Sequence, residues 1–253
     1  MKITFLGTGT SQGVPVIACD CEVCKSKDKK DIRLRSSVLV NVDGLNLVID
    51  TGPDFRYQML RENVQNIDAV LYTHSHKDHI AGMDDIRAFN HKWKKEIELY
   101  CSEKVSYALK SEFPYVFTKY KYPGVPSVNL NIINNSVFKV NKTKIQPILA
   151  KHYKMDVFGF RIHDFVYLTD ISYISKNEKD KLKGAELIVL DALRIKPHIS
   201  HLSLSQAIDL INEVKPKRAL LTHISHYMGL HKEINSSLPH NIDLAYDTQQ
   251  IVL

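Results

Sequence analysis

Six consecutive residues, His74-Ser75-His76-Lys77-Asp78-His79, hold four side chains able to bind a metal. Imidazole and carboxylate together suit zinc, manganese and iron. The run follows a short apolar segment, so a strand over 68–73 is expected to deliver it into a loop. A loop can turn alternate residues to one side. His74 and His76 can then face one metal, and Asp78 and His79 a neighbouring position. One loop cannot complete two metals, so further ligands are expected downstream. Three polar residues stand at the ends of apolar runs, placed as His74 is. They are His152 after Ile148-Leu149-Ala150-Lys151, Asp170 after Val166-Tyr167-Leu168-Thr169, and His223 after Ala219-Leu220-Leu221-Thr222. A carboxylate ending a buried strand is costly unless it is paired or metal-bound. Singly, each of the three suits a cap or a turn. Together they have the number and chemistry to finish a dinuclear site for metal-assisted hydrolysis.

The cysteines form a second group. Cys19, Cys21 and Cys24 lie within six residues, and Cys101 stands alone. In a reducing compartment such a cluster points to a metal site rather than a disulfide framework. Cys101 is expected to be a buried bystander.

The elements that must position these groups can be read from periodicity. Strands are expected at 2–6, 37–42 and 46–50, the last two joined by the hairpin signal Asp43-Gly44. A short helix is expected at 56–63, one helix at 80–89, a strand at 97–101 and a helix at 103–112. Residues 114–127 are aromatic and proline-rich and read as a loop or lid, with Phe117, Tyr120 and Tyr122 as stacking or packing residues. A second β-rich half follows at 136–140, 144–149, 157–162 and 165–169. It continues with a short helix near 178–182, a strand at 187–190, a helix at 204–214 and a strand at 218–222, before a final helix and strand. Leu204, Ala207, Ile208, Ile211 and Val214 form a helical stripe, and Ser203 with Gln206 forms a capping box. The rhythm argues for an α/β sandwich with catalytic loops at one sheet edge.

Composition sets the outer bounds. The 253 residues suit a single domain over 1–253, with a lid-like insertion around 87–128. The 44% hydrophobic and 25% charged shares are ordinary for a soluble globular protein. No apolar run reaches the ~18 residues a membrane span needs, so no membrane partner is expected. The N-terminal apolar stretch is too short for a signal peptide, which makes a cytoplasmic location the default. The net charge of +6 is compatible with an anionic substrate, including phosphate esters and nucleic acid. The lysines are scattered over 25–30, 92–95, 139–144 and 176–183, which weakens the nucleic-acid reading.

Five motifs in order make the chain resemble the metallo-β-lactamase fold superfamily. They are Ile49-Asp50-Thr51-Gly52, His74–His79, His152, Tyr167-Leu168-Thr169-Asp170 and Leu221-Thr222-His223. The resemblance spans nearly the whole chain and implies a four-layer αββα sandwich with metals at the sheet edge. It also implies His74, His76 and His152 on one divalent metal, Asp78, His79 and His223 on the other, and Asp170 bridging. Asp50 would orient the ligands from behind. Ser200-His201-Leu202-Ser203 before a helix is similar to the general-acid histidine of the superfamily's phosphodiesterase branch. On that likeness His201 and Asp78 are the catalytic residues, with His198 a competing candidate for the acid. Gly7-Thr8-Gly9, Gln12-Gly13-Val14-Pro15, the cysteine cluster and Thr222-His223-Ile224-Ser225-His226 resemble the phosphoribosyl 1,2-cyclic phosphate phosphodiesterases of the bacterial carbon–phosphorus lyase pathway. That family implies a structural zinc on Cys19, Cys21, Cys24 and His226. Three thiolates and one imidazole are indeed a closed tetrahedral zinc set.

The expected activity is a metal-dependent phosphodiesterase with two active-site ions, zinc or manganese, acting on small or cyclic phosphodiesters. The expected assembly is a homodimer. A nuclease that trims tRNA 3′ ends is one rival, but residues 114–127 do not resemble the glycine- and proline-rich arm such enzymes use. A glyoxalase-type thioester hydrolase is another, and it leaves His201 without a task.

Overall fold

The computed structural model describes residues 1–120 and 122–253. Its first strand, β1 (Lys2–Gly7), lies antiparallel to β2 (Ser37–Val42). β2 folds back on β3 (Leu45–Ile49) through Asp43 and Gly44, whose φ values of 51° and 81° are those the two-residue hairpin signal requires. β4 (Ala69–Leu71), β5 (Ile97–Cys101) and β6 (Val128–Ile132) then add in parallel. The C-terminal strand Gln250–Val252 closes the other edge against β1. Among the described residues this sheet has seven strands.

The second sheet is built from β7 (Phe138–Val140), β8 (Thr143–His152), β9 (Met155–Ile162), β10 (Phe165–Leu168), β11 (Tyr173–Ile174), β12 (Leu187–Asp191), β13 (Arg218–Thr222) and β14 (Ile242–Leu244). Its main path runs β11-β8-β9-β10-β12-β13-β14, with β7 paired to β8. The hairpins are antiparallel and the β10-β12-β13-β14 portion is parallel.

The two sheets face each other across one apolar layer, where Ile3, Phe5, Val40 and Leu47 meet Phe160, Phe165, Val189 and Leu220. The outer face of the first sheet packs Val48, Val70 and Leu99 under Phe55, Ile86, Phe89 and Leu109 of its helices. The outer face of the second packs Ile188, Leu190, Ala219 and Leu221 under Ala207, Ile211 and Val214. Strands with apolar side chains on both faces need cover on both sides, and the layers stack as α, β, β, α, as expected. The helix Leu204–Val214 has the expected bounds, and both halves of the Ser203–Gln206 capping box are formed.

Two expectations need correction. The segment 80–89 is not one helix. It is a helical turn Lys77–Ile80, a tight turn Met83–Ile86 and a separate helix Arg87–Trp93. The His79 carbonyl accepts from Thr51 N–H and the Gly82 N–H donates to Thr51 O, so both groups are withdrawn from any continuous helical ladder. A Cβ on Gly82 would sit 2.2 Å from the Gly52 carbonyl oxygen, so only glycine permits this approach. The loop after β3 thereby fixes the ligand-bearing turn. The other correction is β6, a strand the sequence reading passed over. Val128-Asn129-Leu130-Asn131-Ile132 alternates with period two, and Glu98 accepts from the amides of Asn129 and Asn131 at 3.0 and 2.7 Å.

Candidate metal centre

The polar residues at strand ends meet along one edge of the two sheets. Asp50 follows β3, His74 follows β4, His152 ends β8, Asp170 follows β10, Asp191 ends β12 and His223 follows β13. Three of them, Asp50, Asp170 and His223, have φ of 62°, 57° and 57°. This left-handed region is sparsely used by residues other than glycine, and Asp and His are among those that enter it. Each such turn swings its side chain out of the strand's pleat at the sheet edge.

Two groups of ligand atoms result. In one, the ring nitrogens of His74, His76 and His152 lie within 4.8 Å of one another. In the other, Asp78, His79, Asp170 and His223 converge to the same limit. His79 Nε2 is 3.2 Å from Asp78 and 3.3 Å from Asp170, and His223 Nε2 is 3.3 Å from Asp170 and 3.5 Å from Asp78. Asp170 also approaches His74 Nε2 at 3.9 Å, which places it between the groups. The seven residues singled out in the sequence therefore lie together as these two groups.

A second layer aims the rings. Asp50 is fully buried and accepts from His79 Nδ1 at 2.7 Å, from Thr73 N–H at 2.8 Å and from Thr73 Oγ1 at 2.7 Å. His152 Nδ1 donates to the Ser200 carbonyl at 2.7 Å. Thr73 Oγ1 gives its proton to Asp50, so His74 Nδ1 is the donor across their 3.0 Å contact. With Nδ1 engaged in this way, His74, His79 and His152 present Nε2 to the centre. His79 Nε2 and His223 Nε2 are buried and have no hydrogen-bond partner among the described residues. Convergent donors that satisfy no one else, with nitrogen and carboxylate chemistry, fit divalent metal ions.

The two groups differ in how they hold protons. Burial takes His152 down to about 4, against the opposing pull of Asp170, and burial with the neighbouring His79 holds His74 well below its ordinary value. Burial also opposes charge on His79 and His223, but the carboxylates of Asp78 and Asp170 outweigh it and raise both. Asp170 is held well below the carboxylate range, because His223 and His79 overcome the cost of its burial. Metals compete with protons for imidazole. A metal binding at His79 and His223 would have to displace protons, while one binding at His74, His76 and His152 would meet neutral rings. Affinity at the Asp78/His79/His223 site should therefore rise with pH through the raised histidine titrations, and affinity at the other should change little near neutrality. Calorimetric titration at several pH values in two buffers of different ionisation heat would show two proton-release stoichiometries. A single shared pH slope would contradict the split.

His201 sits beside both groups. Its ring stacks on His223 at 4.9 Å and 16°, and lies 4.6 Å from His152. Its Nδ1 is 3.5 Å from Asp191 Oδ2 and 3.8 Å from Asp170 Oδ1. Asp191 was not among the sequence candidates. It is fully buried, accepts from Ile171 N–H at 3.1 Å through Oδ1, and is raised by burial against the pull of His201. It ends an apolar strand just as Asp170 follows one, so the same signal was present. His198, the competing candidate, has its ring 5.2 Å from His201 and its Nδ1 against Ser200.

The second cluster also assembles. His226 Nδ1 lies 3.2, 3.4 and 3.5 Å from the sulfurs of Cys19, Cys21 and Cys24. The Cys24 N–H donates to Cys21 Sγ and helps bring that thiol down to about 6. The residues present fit a closed thiolate-imidazole zinc set. Cys101 is buried elsewhere, and burial pushes its thiol up to about 12. In the aromatic segment, Phe117 packs on the helical layer, Tyr115 donates to Asp84, and Tyr120 and Tyr122 are exposed.

A family model described as a beta-lactamase superfamily domain matches residues 45–224. The chain is 36% identical over 256 residues to an octanoyltransferase of Porphyromonas gingivalis, covering 100% of this chain and 52% of that protein. It is 27% identical over 203 residues to a ribonuclease Z of Prochlorococcus marinus, covering 78% of this chain and 56% of the other. The chain thus spans about half the length of these curated relatives. Among solved structures, a new diphosphatase from the PhnP family superposes with a TM-score of 0.93 at 39% identity, over 100% of this chain and 97% of that one. Zinc-bound PqqB from Methylobacterium extorquens shares the fold, with a TM-score of 0.82 at 17% identity over the full length of both chains. No helix is long and apolar enough to cross a membrane among the described residues. The chain belongs to the metallo-β-lactamase superfamily of hydrolase folds and is a relative of the PhnP-family diphosphatase.

Proposed function

We propose that the chain is a metal-dependent phosphodiesterase for small phosphate compounds, including cyclic phosphodiesters of the phosphoribosyl type. The observation that carries this reading is His201, seated between Asp191 and Asp170 at the junction of the two ligand groups. His74, His76 and His152 would hold one divalent ion and Asp78, His79 and His223 a second, with Asp170 between them, and such ions would supply charge stabilisation and make a water easier to deprotonate. Zinc and manganese both match this donor set.

The chain's own residues do the rest. Asp78 and Asp170 orient the attacking water at phosphorus. His201 gives a proton from Nε2 to the departing oxygen, on the ring edge opposite Asp191. The buried Asp191 carboxylate, 3.5 Å behind Nδ1, positions the ring for that transfer. The diphosphatase name of the solved relative agrees with cleavage at phosphorus. The octanoyltransferase name belongs to a protein of which this chain covers only 52%, so it does not set the chemistry proposed here.

The test is a panel of cyclic diesters, linear dialkyl diesters and diphosphates, run on protein whose metal content has been counted. Turnover of a phosphodiester that depends on about two ions per chain beyond the one held by the cysteine cluster supports the reading. A fully loaded protein that cleaves thioesters and no phosphate compound would overturn it. Asp50 gives an independent check. Asp50→Ala removes the partner of His79 Nδ1, and metal affinity should fall about 10–100-fold in a chelator competition. Unchanged affinity would mean that Asp50 holds only the loop.

A further inference from the structure

The thiol cluster lies outside the reacting groups yet is tied to them through one short segment. His226 follows His223 by three residues. Between them, Ile224 N–H donates to Thr8 O at 2.9 Å, and Thr10 N–H returns to Ile224 O at 3.1 Å. Ser225 donates to Leu193 O from both N–H and Oγ, at 2.9 and 2.8 Å. Leu193 N–H in turn donates to Leu202 O, the residue after His201. One segment therefore carries a metal ligand at one end and the cluster's imidazole at the other. It also clips the loop that bears the proton donor.

The sulfurs are not sealed in. Cys19, Cys21 and Cys24 are each partly exposed, while Cys101 is buried. Cys21 and Cys24 have the two-residue spacing at which a dithiol closes readily, and their sulfurs lie within 4.8 Å. An accessible thiolate beside a second thiol is the arrangement oxidants attack.

We propose that the Cys19/Cys21/Cys24/His226 cluster is a reversible oxidation site for peroxide, and that its oxidation switches the neighbouring metal centre down. The Cys21 thiolate attacks one peroxide oxygen. The O–O bond breaks, and the other oxygen leaves as hydroxide and takes a proton to become water. The Cys24 thiol then gives up its proton as its sulfur attacks the Cys21 sulfur, the S–O bond breaks, and the second oxygen leaves with that proton as water. The two sulfurs together lose two electrons and one peroxide becomes two waters. The donor set drops from four to Cys19 and His226, which is too few to retain zinc. Released from the cluster, residues 223–228 no longer hold His223 and the His201 loop in register.

The experiment uses the full chain loaded with zinc, beside a Cys101→Ser variant, both exposed to hydrogen peroxide. A chromophoric chelator should report about one zinc ion released per chain. Peptide mapping should find Cys21 joined to Cys24, and amide exchange at Ile224 and Ser225 should quicken. Phosphodiester turnover should fall about tenfold, and thiol reduction with added zinc should restore it. Cys101→Ser should behave as the parent does. Retention of zinc and free thiols under peroxide that oxidises free cysteine would overturn the proposal. So would a Cys21–Cys24 disulfide that leaves exchange at 223–228 unchanged. The zinc-release, mapping and exchange readouts stand even if no phosphodiester proves to be a substrate, so the two readings fail separately.

Discussion

His201→Ala lowers turnover of a diester with an alkoxide leaving group about 10²–10⁴-fold, the usual worth of a positioned acid. It lowers turnover far less for a nitrophenyl diester or a diphosphate, whose leaving oxygen departs without a proton. The asymmetry follows from position. The His201 ring stands beside His152 and His223, with Asp191 3.5 Å behind its Nδ1. Because His201 also approaches His152 and Asp170, a ligand role is the alternative, and metal analysis separates the two. An acid's loss leaves the metal count intact. A ligand's loss lowers it and depresses every substrate equally. Asp191→Asn, which keeps the shape and removes the charge, should show the same leaving-group asymmetry in weaker form.

Asp170→Ala should empty both metal positions together. The side chain is fully buried, reaches His79 and His223 at 3.3 Å, and lies 3.9 Å from His74. Without it, His223 loses its principal counter-charge and His79 loses the one second to Asp78, so both affinity and the local fold suffer. Loss of a residue that orients ligands costs about 10–100-fold in affinity, and loss of a shared carboxylate should exceed that range. Elemental analysis after gel filtration should find neither ion retained, with hydrolysis lost in parallel. Retention of one ion on His74, His76 and His152 would show that Asp170 serves only the other group. Asp170→Asn would tell charge from shape, since it keeps the side chain's volume.

Much of this centre was legible because it obeys a local rule: a polar residue stranded at the end of an apolar strand. The rule found His152, Asp170 and His223 beside the His74–His79 run. Applied once more it would have reached Asp191, which ends β12 after Leu187-Ile188-Val189-Leu190. What local pattern could not supply was pairing across the chain. Nothing near Gly82 says that Thr51 will claim the backbone groups of His79 and Gly82 and break a helix there. Nothing near Cys24 shows which histidine will approach it from 202 residues away, and only the resemblance named His226. The sandwich itself was readable from strand rhythm, whereas the edge strand β6 lies just beyond the proline- and aromatic-rich loop of 114–127, in residues the sequence reading left unassigned.

The left-handed turns at Asp50, Asp170 and His223 restrict what this centre can become. A change of metal preference would ordinarily proceed by swapping ligands, cysteine for a softer ion or a longer carboxylate for a harder one. At these positions the backbone also selects. Asp, Asn and His enter this conformation more readily than other side chains, while β-branched or bulky replacements pay of order 1–3 kcal/mol in strain. Asp170 and His223 are therefore chosen twice, once for the ion and once for the bend, and Asp50 once for aiming His79 and once for the bend. His74, His76, Asp78, His79 and His152, absent from the left-handed set, carry no such second constraint. Adaptation to a different ion should begin among these five, with Asp170 and His223 resisting exchange.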